Sequence, residues 1–208
     1  MKSGIVVKCC LSALTLLTAG VLSPTRAAAP SVKLVEEGRP KAVIRVPAGL
    51  MDDDAQLSTE ATYAEQRAEA ERRRLRESVR DLAHYLQVMS GAELDIETGP
   101  SPANDRRLPI YVGDLARDLF GPPAKTSLYE QGWRLVVSPA GVGLIGESDL
   151  SASYALYEVL HRLGCRWLMP GELGECIPRS PTVQLEACDH SATPSTGYRG
   201  IWQPPSYA

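Results

Sequence analysis

The chain has 208 residues, 44% of them hydrophobic and 23% charged, with a formal net charge of −3. Taking away residues 1–29 removes Lys2, Lys8 and Arg26 and no acid, which leaves a net charge of −6. That balance argues against nucleic acid or an anionic membrane as a partner, and about 180 residues suffice for one domain with a proper core but not for a domain plus a barrel of ~250.

Residues 1–29 read as a secretory signal. Lys2 and Lys8 form a positive start, Cys9 to Leu22 an apolar stretch, and Thr25-Arg26-Ala27-Ala28-Ala29 a small-residue cleavage region. The apolar run is too short for a comfortable membrane span and no later segment approaches one, so export to the periplasm or the exterior is expected.

Val32–Val35 and Ala42–Val46 predict two β segments around the turn Glu36–Pro40, antiparallel neighbours because they are close in sequence. Pro47–Ser58 reads as loop. Its Asp52-Asp53-Asp54 run lacks the alternating oxygen ligands of a calcium loop and reads as solvated acids. Glu60–Ser90 is the longest helix candidate, with Leu75, Val79, Leu82, Leu86 and Met89 on one stripe. The Arg72-Arg73-Arg74 cluster before that stripe reads as an exposed face.

Leu94–Glu97 predicts a short strand, and Leu108–Val112 a strand buried on both faces. Leu115–Leu119 is a short helical turn. Gly132–Ser138 and Gly141–Ile145 form a hairpin around Ser-Pro-Ala-Gly. Tyr154 to Leu163 has helical apolar spacing, stopped by Gly164, and Cys165, Trp167 and Leu168 then make a short apolar strand. Val183–Leu185 is a last strand, and from Asp189 the composition turns to linker. The expected fold is α/β, an α+β sandwich whose mixed sheet of about five to seven strands carries two main helices, mostly on one face.

Three cysteines remain after the leader: Cys165, Cys176 and Cys188. Cys165 reads as a buried small hydrophobe, and spacing leaves both a Cys165–Cys176 and a Cys176–Cys188 bridge open. His161 and His190 lack metal-ligand spacing, so no metal and no cofactor is expected. Glu172 and Glu175 are the one tempting carboxylate pair, with Trp167 as a stacking face. Glycoside hydrolysis needs two carboxyls about 5 to 9 Å apart across the bond. The favoured reading is that both glutamates solvate a loop and that Trp133 and Trp167 belong to the core or a domain interface.

The order turn, helix, strand and Gly/Pro-rich loop over Gly146–Pro178, down to the words LGCRWLMPGELGE, resembles the accessory α/β domain in front of the catalytic barrel of certain secreted glycoside hydrolases. It looks most like the amino-terminal domain of α-glucuronidases, with the non-catalytic domain of β-hexosaminidases as a relative. The stretches GWRLVVSPAGVGLIG and DLAHYLQVMSGAEL support the resemblance. It implies a signal peptide over 1–29, an accessory domain over 30–188, and linker plus the start of a barrel over 189–208. It also implies no catalytic residue in this chain and carbohydrate as a partner through the barrel. Tyr198-Arg199-Gly200-Ile201-Trp202 resembles the first barrel strand, where Arg199 would hydrogen-bond sugar hydroxyls. Gln203-Pro204-Pro205 departs from the family pattern there, which continues with an acid.

Overall fold

The computed structural model describes residues 30–197. The leader expected over 1–29 and Arg199 lie outside the described residues.

In chain order the elements are β1 (Ser31–Glu36), β2 (Arg39–Pro40), β3 (Ala42–Val46), α1 (Tyr63–Ser90), β4 (Ile96–Thr98), β5 (Leu108–Val112), α2 (Asp114–Phe120), β6 (Trp133–Ser138), β7 (Gly141–Gly146), α3 (Asp149–Arg162), β8 (Arg166–Trp167), β9 (Glu175–Cys176), β10 (Val183–Glu186) and β11 (Cys188–Ala192). The main sheet has six strands in the order β11-β6-β7-β5-β3-β4. Strands β4, β3, β5 and β7 run parallel, while β6 pairs antiparallel with both β7 and β11. This is the expected mixed sheet of an α/β sandwich.

The period-two alternation of the strands sorts the two faces. Ala42, Ile44 and Val46 of β3, with Ile110, Leu135 and Leu144, join the main core beneath α1 and α3. Tyr111, Val136 and Ile145 point to the other face, where α2 covers them with Ala116 and Phe120. Leu75, Val79, Leu82, Leu86 and Met89 of α1 are all buried, as their stripe predicts. Thr62 starts α1 through a capping box with Glu65, and Gly91 ends it in the left-handed conformation at φ 78°. Ser148 caps α3 in the same reciprocal way with Ser151.

Three expectations are corrected. β1 does not pair with β3. It forms a hairpin with the two-residue β2 and lies in a separate three-stranded sheet, ordered β10-β1-β2. Pro40 has no N–H with which to carry the ladder on. The chain then crosses into the main sheet as β3, parallel to β4 and β5. The stretch from Asp189 is not all linker, because Cys188–Ala192 forms the edge strand β11 against β6. Finally, of the two places expected for Trp167, the core and a domain interface, the core is ruled out: the indole is 38% exposed, because its strand pairs outside both larger sheets.

A charged network holds the connector between β4 and β5 against the sheet. Arg45, 3% exposed on β3 next to the edge strand β4, bridges Glu97 at 2.8 Å and Asp105 at 2.8 Å. Arg107 adds contacts to Asp95, Glu97 and Asp105. Among the described residues, no helix is long and apolar enough to cross a membrane.

Candidate functional site

Two surfaces present side chains that the core does not absorb. The first is the β8–β9 ribbon. Gly164, at φ 94°, turns the chain out of α3, and Cys165 plugs the core. Arg166 then pairs with Cys176 and Trp167 with Glu175. The intervening loop closes on itself: Leu168 N–H donates to Gly174 O at 2.8 Å and Gly174 N–H to Gly171 O at 2.9 Å. A side chain at Gly174 would lie 2.0 Å from the Met169 carbonyl oxygen, so the turn demands glycine.

Trp167 is clamped over the seam between α1 and α3. Its indole Nε1 donates to the Tyr85 hydroxyl at 3.0 Å, and that hydroxyl donates to Glu175 Oε1 at 2.8 Å. The ring meets Tyr85 edge-on at 5.1 Å and Tyr157 edge-on at 5.7 Å between centroids. Tyr157 donates to Asp81. Burial pushes the Tyr85 phenol up and Glu175 adds to the effect, while the Trp167 N–H opposes it; Tyr85 is therefore a neutral donor. Burial, then Asp81, pushes Tyr157 up as well.

Fixed in this way, Trp167 is 38% exposed, and beside it Leu168, Met169 and Leu173 reach 73%, 58% and 96%. Trp133, the other expected core indole, is half-buried against the core and the His190 ring. Glu172 and Glu175 do not face each other across a cleft. Glu175 is engaged by Tyr85, Glu172 opens the exposed 3₁₀ turn, and the principal grooves are lined by other residues.

The second surface is a groove of about 470 Å³ between the start of α1 and the loop that precedes β6. Tyr63, Leu128 and Tyr129 edge it and are all well exposed, Leu128 by 90%. The loop is held rigidly from below. Glu147, just past β7, accepts from the backbone N–H groups of Ser127 at 2.9 Å and Gly132 at 2.6 Å. Ser148 donates to the Glu130 carbonyl at 3.0 Å. On the floor, Arg67 pairs with Glu71 at 2.7 Å and more distantly with Glu130 at 3.4 Å. No periodic signal in the sequence marks this groove, because Tyr63, Leu128 and Leu150 come from three separated segments.

The remaining candidates have structural partners. Arg72 is not idle on an exposed face: it donates to the carbonyls of Gly49, Leu50, Asp52 and Asp53. Arg76 holds Asp54 and the Asp52 carbonyl, so the acidic run is a strap tied to α1. Cys165, Cys176 and Cys188 are all free thiols. Among the described residues, no group of three His, Cys, Asp or Glu side chains is placed to hold a metal. In comparisons with known proteins, no family model matches the chain and no curated protein matches it.

Proposed function

We propose that the chain is the non-catalytic amino-terminal domain of an exported, α-glucuronidase-like glycoside hydrolase, and that it covers the flank of a catalytic barrel. The observation that supports this is the β8–β9 ribbon. A monomeric surface rarely sets several large apolar side chains side by side without a partner. Here Trp167, Leu168, Met169 and Leu173 are exposed together, yet Trp167 is fixed by two rings and a hydrogen bond. An indole held in this way beside exposed apolar side chains suits a permanent neighbour, since Trp167 has little side-chain entropy left to lose on docking. Carbohydrate would be met by the barrel, on uronic acid side chains of xylan; a β-hexosaminidase-like parent has the same structural support.

The test is to read the frame beyond the codon for Ala208 and assay the full product. Release of uronic acid from decorated xylo-oligosaccharides, with Leu173→Asp lowering the melting temperature of the full product, is the expected result. A stop codon directly after Ala208, with a secreted monomeric product, would overturn the reading.

One observation favours a second reading, a free-standing carbohydrate-binding module: the rigid, part-exposed Trp167 indole could stack on a pyranose ring. Titrating neutral and acidic oligosaccharides against tryptophan fluorescence decides it. A saturable shift that Trp167→Ala abolishes supports the module, and a flat response across the panel excludes it.

A further inference from the structure

We infer that the groove between the first half of α1 and the loop before β6 is a binding site for a neutral oligosaccharide. The volume of about 470 Å³ beside Leu128 continues along α1 into a second of about 390 Å³, and Tyr63, Arg67, Glu71 and Leu150 line both. From Tyr63 to Glu77 this trough follows α1 for about 21 Å, room for several sugar rings in line. Two tyrosines offer aromatic surface there, Tyr63 at 81% exposure and Tyr129 at 57%. The face of an aromatic ring is negative and attracts polarised C–H groups, which pyranose rings present on their flat sides. Tyr129 is held in place. A side chain at Gly197 would lie 2.1 Å from its ring, so the Gly197 backbone packs against it, and Gly197 O accepts from Gln131 Nε2 at 3.0 Å. Such a platform has little freedom left to lose on binding.

Charge selects a neutral ligand. Arg67, Arg73 and Arg74 line the trough together with Glu71, Glu77 and Glu130, so its guanidinium and carboxylate groups balance. Arg67 is committed to Glu71, and Arg73 leans on Asp54 at 3.7 Å. Among the described residues, Arg74 and Glu77 make no ion pair and no side-chain hydrogen bond. A guanidinium only donates and a carboxylate only accepts, whereas a hydroxyl does both. One uncommitted donor and one uncommitted acceptor therefore suit sugar hydroxyls, and a balanced lining gives an ionised ligand no net attraction. The trough is also separate from the β8–β9 ribbon. Tyr85, which anchors Trp167, lies about 33 Å along α1 from Tyr63. A partner on the ribbon thus leaves the trough open, and the inference holds whether or not a barrel follows.

Calorimetric titration of the full chain tests it, with xylo-, cello-, manno- and malto-oligosaccharides as neutral probes and oligogalacturonate as the charged one. At least one neutral probe should give a saturable heat. Tyr63→Ala and Arg74→Ala should each weaken that binding about tenfold. Both side chains are exposed, so the melting temperatures of the two variants should stay at the parent value. Trp167→Ala should bind like the unsubstituted chain, which separates this site from an indole platform on the ribbon. No saturable heat with any neutral probe overturns the inference. So does binding that survives both Tyr63→Ala and Arg74→Ala, binding lost in Trp167→Ala, or tighter binding of oligogalacturonate than of every neutral probe.

Discussion

The Trp167 indole nitrogen donates to the Tyr85 hydroxyl at 3.0 Å and thereby ties the β8–β9 ribbon to the middle of α1. Tyr85 is 8% exposed, so the bond sits where water competes poorly. Tyr85→Phe keeps the ring contacts but strips both the acceptor for Trp167 and the donor to Glu175. The variant should lose about 1 kcal/mol of stability. Its tryptophan emission should move to the red and quench more readily with acrylamide as Trp167 loosens. A urea melt and a quenching series check the two effects separately. Unchanged quenching would show that the ring contacts alone fix the indole.

Glu69 and Arg72 form a two-point ion pair, at 2.7 and 2.8 Å, beneath the strap between β3 and α1. Arg72, then the Ala55 N–H, holds the Glu69 carboxyl at about 2 instead of the ordinary 4.5. A depressed folded-state value means that stabilisation is fully present above the unfolded value and is lost as pH falls through the folded one. The melting temperatures of the unsubstituted chain and of Glu69→Gln should therefore differ by a constant amount above pH ~5 and converge between pH ~4.5 and ~2. Thermal melts across that window read the convergence directly. A gap that persists at the acid end would mean that the glutamine variant fails for packing reasons.

Legibility in the sequence tracks how local each signal is. The stripe Leu75 to Met89 declares its buried face because every member lies on one helix, and all five residues are buried. The β6–β7 hairpin is equally local, with Ser138 paired to Gly141 across its turn. Distant partners leave no such trace. β1 pairs with β10, about 150 residues away, which no short-range pattern can express. β11, with the sequence CDHSA, is an edge strand without apolar alternation, and it resembles linker until β6 is placed beside it. Trp167 has strand-like neighbours, but its exposure depends on Tyr85 and Tyr157 of two different helices. The Arg72 strap is hidden for the same reason: its acceptors are backbone carbonyls, which carry no sequence signature.

Gly146 sits at the junction where β7 hands over to α3. An added Cβ would fall 2.2 Å from the Ala152 nitrogen and 2.4 Å from the Ser148 oxygen, both backbone atoms that the helix cap fixes in place. Gly146→Ala should cost about 3 kcal/mol or more, because the strand end and the first turn of α3 must separate. Gly99→Ala is the matched control. Nothing lies within 4 Å of its Cβ, and only the φ of 83° resists the substitution. That variant should lose about 1 kcal/mol. Chemical denaturation of the pair measures the difference, and equal losses would mean that the α3 cap yields to Gly146→Ala at little cost.

The three thiols of the described domain differ in environment, and their chemistry should differ with it. Cys165 is fully buried, and Cys188 is half-buried with its sulfur accepting from Arg162 Nη1 at 3.2 Å. Burial pushes both thiols up, outweighing the nearby Arg166 and Arg162 guanidinium groups. Thiolate is the reactive form, so both should react slowly at neutral pH. Cys176 is exposed on β9, where a reagent can reach its sulfur. Titrating the folded chain from Pro30 onward with a coloured aromatic disulfide should consume one thiol rapidly, and Cys176→Ser should remove that phase. After denaturation all three should react, as expected of the free cysteines. Recovery of a single thiol under denaturing conditions would instead reveal a disulfide. In that case digestion and mass mapping would assign it to Cys165–Cys176 or Cys176–Cys188, and the β8–β9 ribbon would have to rearrange to bring either pair together.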